Sequence, residues 1–585
     1  MFNKYYLEEL TFLRELGKEF AEAHPEAAHY LAAKGSDPEV DRLLEGFAFL
    51  TGRIRHKLDD ELPELTHMMI GLLWPHYLRP IPAMSILQCK PKEHLLSDHQ
   101  IIPRGTEIAS VAVEGVQCRF RTCYDVDLYP LSLREVLMES PSGKKSQLRL
   151  TCEPHQGVQL RNFKIERLRF YLHGESNVTS ALFLWLSRRI KKISIRSTSG
   201  AGAPISLPPD MLCQAGFADN EVLLPYPLHS FKGYRFLQEY FCLPEKFMFF
   251  DLYGLEKLHE AGIEGTFEVL FEFDKRWDDA LRISDENLLL YCSPVINLFQ
   301  HEADPIRIEQ ERTSYRIHPH GSDIKHFEIF SVDRVTGWDQ YAARERVYEP
   351  FYSFKHGQKS LGRGNVYHNT SMQHVVVGHG TDTYISFVNE EGDREAPSAE
   401  VVNIELTCSN RNLPSELRVG DIRIPTDKSP EYVEFRNVLP VRNSVPPPLE
   451  GDLHWRLISH LSLNYQSLTN PDSLRRVLGV YNFQALYDSQ AARQSELLLD
   501  GIVNVHAEPD EHIFRGAVIR GTYIHLELLE DHFAGEGEML LFASVLNEFF
   551  ALYSSINSFC RLEVRGVQKG ETYDWPPRIG QQIIL

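Results

Sequence analysis

The chain has 585 residues but no run of the ~18 to 20 uncharged apolar residues that a membrane span needs. The nearest stretch, Met539 to Ile556, is interrupted by Ser544, Asn547, Glu548 and Ser554. The opening, MFNKYYLEELTFLREL, lacks the apolar core of a secretory signal, with Glu8 and Glu9 where that core would lie. Cysteine is sparse. Nine scattered residues, an odd number, fit reduced thiols better than a disulfide framework. Together these absences give the expectation of a cytoplasmic protein, in which the sequons at Asn177 and Asn369 carry no meaning. Positive charge is also short: 61 Lys and Arg against 81 Asp and Glu leave a net charge of −20. That balance disfavours general binding to a phosphate backbone and suits protein partners.

Catalytic signatures are missing as well. The sequence has no P-loop, no GxSxG elbow, no HExxH and no GxGxxG after a strand. Gly200-Ala201-Gly202 reads as a flexible turn. Asp59, Asp60, Glu61 and Glu64 form the densest carboxylate cluster, which could act in acid–base chemistry if its members converged. They lie where one predicted helix gives way to the next, and acids there favour the dipole of the second helix. His318 and His320, with His326 nearby, could be metal ligands, but a zinc site needs three or four and no cysteine except Cys292 lies within fifty residues, so a chance grouping among 25 histidines is the ordinary reading. Cys118 and Cys123 have no second pair. Arg188, Arg189, Lys191, Lys192 and Arg196 make the one strong basic patch, but Ile190, Ile193 and Ile195 between them look like packing positions. A solvated strand face, or an edge that docks an acidic protein, is the ordinary reading. The expectation is therefore no catalytic residue, no cofactor and no metal.

What is present is a graded texture. Hydrophobic residues at 43% and charged residues at 24% place the chain among globular proteins. At ~150 residues per domain its length allows about four units. Phe2, Tyr6, Leu10, Leu13 and Phe20 recur on one helical face. Ser36-Asp37-Pro38 then opens a second helix, with Val40, Leu43, Leu44, Phe47, Leu50, Ile54 and Leu58 as its apolar positions. A third is predicted from about Pro63 to Tyr77, ended by Pro75, Pro80 and Pro82.

From there to about residue 440, short β-branched and aromatic runs alternate with Gly, Pro, Asn and Asp, which predicts strands. Examples are Met84 to Cys89, Leu148 to Cys152, Arg167 to His173, Thr266 to Phe273, His326 to Val332 and Val401 to Cys408. One helical insertion is predicted at Gly233 to Glu239. Near the C-terminus Ile524, Leu526 and Leu528 alternate with polar residues. Leu541, Val545, Phe549, Leu552 and Ile556 then step as a helix, and Cys560, Leu562 and Val564 alternate again. That order is a βαβ-like unit.

The fold class is thus α+β and multidomain: a helical segment over residues 1–82, a β-rich domain with a helical insertion over 83–320, a second β-rich domain over 321–445, and a mixed α/β domain over 446–585. The aromatic stretch from Tyr234 to Phe250, with Phe236, Tyr240 and Phe241, is either a domain core or a protein interface.

Several long blocks carry a resemblance. YYLEELTFLRELGKEFAEAHPEAA, DPEVDRLLEGFAFLTGRIRHKLDDELPELT, WPHYLRPIPAM, FLQEYFCLPEKFMFF, LFASVLNEFFALYSSINSF and the closing WPPRIGQQIIL together resemble the TssF family (also called VasA or ImpG), in order and across the chain. One small departure is Ala83, where that family usually has serine.

The resemblance implies a structural baseplate subunit of a bacterial type VI secretion system. Two copies would join one TssG, and this unit would bind TssK and TssE to build a wedge. The spike hub (VgrG) and the sheath would be reached indirectly, and the inner membrane complex through other subunits. It supplies no catalytic residues. By helical-face logic, Phe2, Tyr6, Leu10 and Leu13 are candidate contacts with TssG or parts of an internal core, and Phe236, Tyr240 and Phe241 are further interface candidates. The rival classes are a β-rich carbohydrate-active enzyme using Asp59, Asp60 or Asp304, and a nucleic-acid-binding module using residues 188 to 196.

Overall fold

The computed structural model describes residues 6, 9–13, 38–59, 63–140, 145–200, 202–226, 231–309, 312–321, 326–339, 344–351, 366–374, 380–388, 401–449, 457, 470–514 and 516–580. Two compact units account for the chain. One combines residues 1–78 with 448–461, and the other combines residues 79–447 with 462–585.

The first unit is helical. A 22-residue helix, Pro38–Asp59, starts at the proline that pattern reading places at its first turn, where a missing N–H is harmless. A second helix, Pro63–Leu73, again starts on proline. It stops four residues before the predicted end, because Pro75 starts a separate 3₁₀ turn, Pro75–Leu78. Backbone bonds from Trp74 N to Ile70 O (2.6 Å) and from Tyr77 N to Trp74 O (2.9 Å) carry the chain through that junction. The His67 Nε2 to Leu449 O contact at 2.9 Å ties the returning segment to this unit. Of the helix predicted at the start of the chain, Tyr6 and residues 9–13 are described, and they are helical.

The second unit is built on antiparallel sheets. A six-stranded sheet runs in the order Ile422–Pro425, Glu107–Val113, Val116–Thr122, Cys292–Ile296, Met84–Pro91 and Val433–Asn437. Its two outer strands therefore come from more than 300 residues beyond their neighbours, for example Cys89 against Phe435. A five-stranded sheet orders Ile205–Leu207, Ile190–Ser197, Phe267–Phe273, Gln147–Pro154 and Leu131–Glu139. A further sheet joins Phe299–Glu302, Val401–Ser409, Glu328–Asp339 and Arg344–Val347 around buried Val335, Val402, Ile404 and Leu406.

The C-terminal region follows the predicted strand, helix, strand order. Strand Ala517–Leu528 lies parallel to Phe559–Gly566, with Ile524 against Leu562 and Leu526 against Val564, and the helix Glu536–Leu552 makes the crossover. Parallel strands need such a crossover, so the two alternating runs and the helix between them are one unit. Strand Ile502–Phe514 pairs antiparallel with Ala517–Leu528 as a long hairpin. Its distal end is exposed on both faces, with Ile513 at 70% and Val518 at 64%.

The predicted insertion is a helix, Lys232–Cys242, and it packs against the crossover helix. The crossover helix in turn crosses Ser176–Arg188 so closely that a Cβ on Gly537 would sit 1.8 Å from Ser180 O. Glycine at that position is a requirement of the close approach.

Candidate interaction surface

Most residues that chemistry would single out are engaged within the chain. Asp304 accepts from the His320 ring at 2.7 Å, and the His326 ring meets Glu114 at 3.1 Å. Among the described residues no group of three or more His, Cys, Asp or Glu is placed to hold a metal ion. Asp60 and Glu61 lie outside the described residues, and Asp59 and Glu64 are placed only as helical positions. No cysteine is in a disulfide; eight are buried and Cys213 is exposed. Burial pushes the Cys89, Cys123 and Cys152 thiols up to about 12, which leaves them inert at neutral pH.

The basic stretch is divided by the fold. Arg188 ends a helix, donates to Asp574 O at 2.7 Å and lies 4.3 Å from the Trp575 ring centre. Arg189 donates to Glu571 at 2.6 Å, and Arg196 to Glu268 at 2.7 Å. Lys191 and Lys192 stand exposed, while Ile193 and Ile195 are buried, as their packing role requires. Cations already matched by local acids offer little to a polyanion.

The aromatic stretch supplies core. Phe236 and Tyr240 are each 4% exposed, Phe236 against Phe217 (5.6 Å between ring centres) and Tyr240 against Phe542 (5.7 Å). Phe241 is half-buried, 5.5 Å from Tyr240. Tyr234 stacks on Tyr481 at 4.7 Å and hydrogen-bonds the Tyr553 hydroxyl. These rings join the Lys232–Cys242 helix to the crossover helix, so of the three interface candidates only Phe241 keeps appreciable surface.

The helical unit differs. Phe2 lies outside the described residues, Leu10 is buried, and Tyr6 and Leu13 are half-buried. Phe12, which the period-based face leaves out, is 57% exposed. On the Pro38–Asp59 helix, Ala48 and Gly52 turn inward, while Leu43, Phe47 and Leu50 are 68%, 62% and 57% exposed. Their spacing of four and three places them on one stripe. The apolar period along this helix includes all three and does not separate the part that packs inside from the part that faces out. A contiguous exposed apolar stripe marks an interaction site more often than a solvated surface.

These features define a multi-sheet protein with an exposed apolar stripe on one helix, in which Arg189 and Arg196 of the basic stretch are paired with acids of the same chain. The particular family follows from comparison. The family model described as Type VI secretion system, TssF, matches residues 1–582, and the chain belongs to that family. It is 30% identical to the type VI secretion system component TssF1 of Pseudomonas aeruginosa, over 99% of this chain and 98% of that protein. Its fold matches a chain in the cryo-electron microscopy structure of the type VI secretion system TssK-TssF-TssG baseplate subcomplex. The TM-score is 0.77 at 31% identity, covering 93% of this chain and 99% of that one. A second match, to a chain of the type VI secretion baseplate complex, has a TM-score of 0.70 at 30% identity over the full length of both. Among the described residues no helix is long and apolar enough to cross a membrane.

Proposed function

We propose that this chain is a structural wedge subunit of a type VI secretion baseplate. Two copies join one TssG through the helical unit, and the assembly binds TssK and TssE to form the platform on which tube and sheath are built. The spike hub and the sheath are reached indirectly. The baseplate is cytoplasmic and docks at the inner membrane complex through other subunits. The chain acts as a scaffold, without catalysis and without nucleic acid.

The observation that carries this reading is the likeness, over 93% of this chain, to a chain of a TssK-TssF-TssG subcomplex, combined with an exposed apolar face on the helical unit. A helix of this length holds its place by packing an apolar face, and a face left in water is stabilised when a partner covers it.

The test is co-expression with the TssG-type protein of the same gene cluster, followed by mass determination by light scattering. The expected species contains two copies of this chain per partner. A monomer that ignores the partner at low and moderate salt overturns the reading.

A further inference from the structure

The hairpin of Ile502–Phe514 with Ala517–Leu528 reaches beyond the sheet that holds it. Strand Phe559–Gly566 continues the sheet only as far as Gly521, which lies opposite Phe559. The four pairs from Glu511 with Arg520 to Phe514 with Ala517 have no third strand among the described residues. A two-stranded ribbon alone is marginal in water, so a projecting arm is stabilised by whatever packs on it. One of its faces is braced at the base. A Cβ on Gly521 would meet the Phe559 ring at 2.4 Å, and the His512 ring centre lies 5.9 Å from that ring.

The opposite face is open. It continues the buried side of the sheet, from Leu526 and Ile524 outward, and ends with Ile513 directly opposite Val518, both exposed. Two residues nearer the sheet, Glu511 and Arg520 stand opposite one another on this same face, exposed and 3.2 Å apart. The outer edge of the arm does not invite a further strand, because Pro509 removes a donor and two acids, Asp510 and Glu511, follow it.

From this we infer that the arm packs on the same arm of a second copy of the chain, face to face and pointing the same way, about a two-fold axis along its length. That operation lays strand Ile502–Phe514 of each copy over strand Ala517–Leu528 of the other. Ile513 then covers the partner's Val518, Glu511 meets the partner's Arg520, and each contact occurs twice. A two-fold contact uses one patch on both copies, so the patch must be complementary to itself, and this one is. Turning one arm end for end lays Glu511 over Glu511 or over Ile513, which loses both matches. The contact is small beside the ~800 Å² per partner of a standard stable interface. It acts where copies are already held in one particle, at an effective concentration of about millimolar. In that respect the inference rests on the wedge reading, and it adds a surface through which the copies meet.

Cross-linking in cells that carry the whole gene cluster tests this in the full chain. Cys213→Ser removes the exposed native thiol, and Val518→Cys places one on the arm. A short bis-maleimide should then join two copies, with the yield falling at least tenfold when the gene for the TssG-type protein is deleted. Glu511→Arg alone and Arg520→Glu alone should each cut the yield at least tenfold, because like charges then face one another. Co-expressed in two differently tagged chains, these variants should cross-link to each other near the parental yield, while neither joins its own kind. Both lose the ion pair within the arm, so recovery in the mixture reads contact between copies and not the folding of one hairpin. The substituted positions are exposed, and melting curves should show each chain as stable as the parent.

A cross-link that ignores the charge changes, or a mixture that does not recover, overturns the two-fold register. Absence of the parental cross-link, in a particle that still holds two copies per TssG-type partner, overturns the arm contact and leaves the wedge reading standing. A full parental yield without the TssG-type protein does the reverse, keeping the arm contact and removing its dependence on the wedge.

Discussion

Lys246 and Glu239 form an ion pair in which neither side chain has any solvent exposure. Glu239 is further held by the N–H groups of Leu223 (2.8 Å) and Leu224 (3.1 Å), and the Lys246 carbonyl accepts from the Tyr124 hydroxyl at 3.1 Å. Burial pulls the Lys246 ammonium below its ordinary range, against the attraction of Glu239. Removing one charge strands the other in a dry interior, a loss of about 3 to 5 kcal/mol, whereas removing both together is often nearly neutral. Lys246→Met alone and Glu239→Gln alone should each lower the urea midpoint sharply, and the double variant should recover a large part of the loss. Additive losses in the double variant would show that the two groups do not act as a pair.

Glu221 governs an acid limb of stability. Burial pushes its carboxyl up, but the Arg169 guanidinium and the N–H groups of Gly216 (2.7 Å) and Ala218 (3.2 Å) outweigh burial and hold it below its ordinary value of 4.5. Arg169 is itself fixed by two bonds to Asp251, at 2.6 and 2.7 Å. A carboxylate lowered in the folded state stabilises fully above its ordinary value, and that stability is lost as pH falls through the lowered one. Glu221→Gln should therefore be less stable than the parent near pH 7, and the gap should close as pH falls below about 4.5. Thermal melts between pH 7 and pH 3 read this directly. A gap that is constant with pH would assign the loss to packing instead.

How much of this was open to reading along the chain depended on how local the cause was. The Pro38–Asp59 helix and the strand, helix, strand order at the C-terminus were legible because the period of their apolar residues is set within each element. The third helix was overrun because the period of its apolar residues continues past Pro75, where the backbone cannot. The pairing of Val433–Asn437 with Met84–Pro91 leaves no local trace, since either strand reads the same at an edge or inside a sheet. The partner of Arg189 in the basic stretch is equally invisible locally, since Glu571 lies 382 residues away in sequence. For the candidate site, the face of the helix was readable, but not which part of it the chain itself covers. That depends on where Leu10 and Ala48 pack.

Gly537 sets how closely the crossover helix approaches Ser176–Arg188. A methyl group there would meet the Ser180 carbonyl carbon at 2.5 Å as well as its oxygen, and backbone atoms cannot swing aside as a flexible side chain would. Gly537→Ala should separate the two helices and lower stability by about 1 to 3 kcal/mol, the usual range for overpacking. Helix propensity alone would have alanine stabilise by about 1 kcal/mol, so the sign of the change decides between the two effects. Urea unfolding followed by tryptophan fluorescence measures it, with Trp185 on the displaced helix as a reporter.

In the N-terminal helical turn a buried and an exposed apolar residue, Leu10 and Phe12, stand two positions apart. Leu10 is 8% exposed and belongs to the core of its own unit, whereas Phe12 is 57% exposed and Tyr6 and Leu13 are half-buried. Leu10→Asp should place an unpaired charge in that core and destabilise the helical unit, which limited proteolysis would detect as early cleavage there. Phe12→Asp should leave the cleavage pattern unchanged, because an exposed residue has little packing to lose. If Phe12 lies in the TssG contact, the same substitution should weaken co-purification with that partner more than tenfold, as loss of a buried aromatic anchor does. Tyr6→Asp, at a half-buried position, should show part of each effect. If Phe12→Asp and Tyr6→Asp both leave the complex intact while Leu10→Asp unfolds the unit, this turn serves the internal core alone, and the partner contact must be sought on the Leu43, Phe47 and Leu50 stripe.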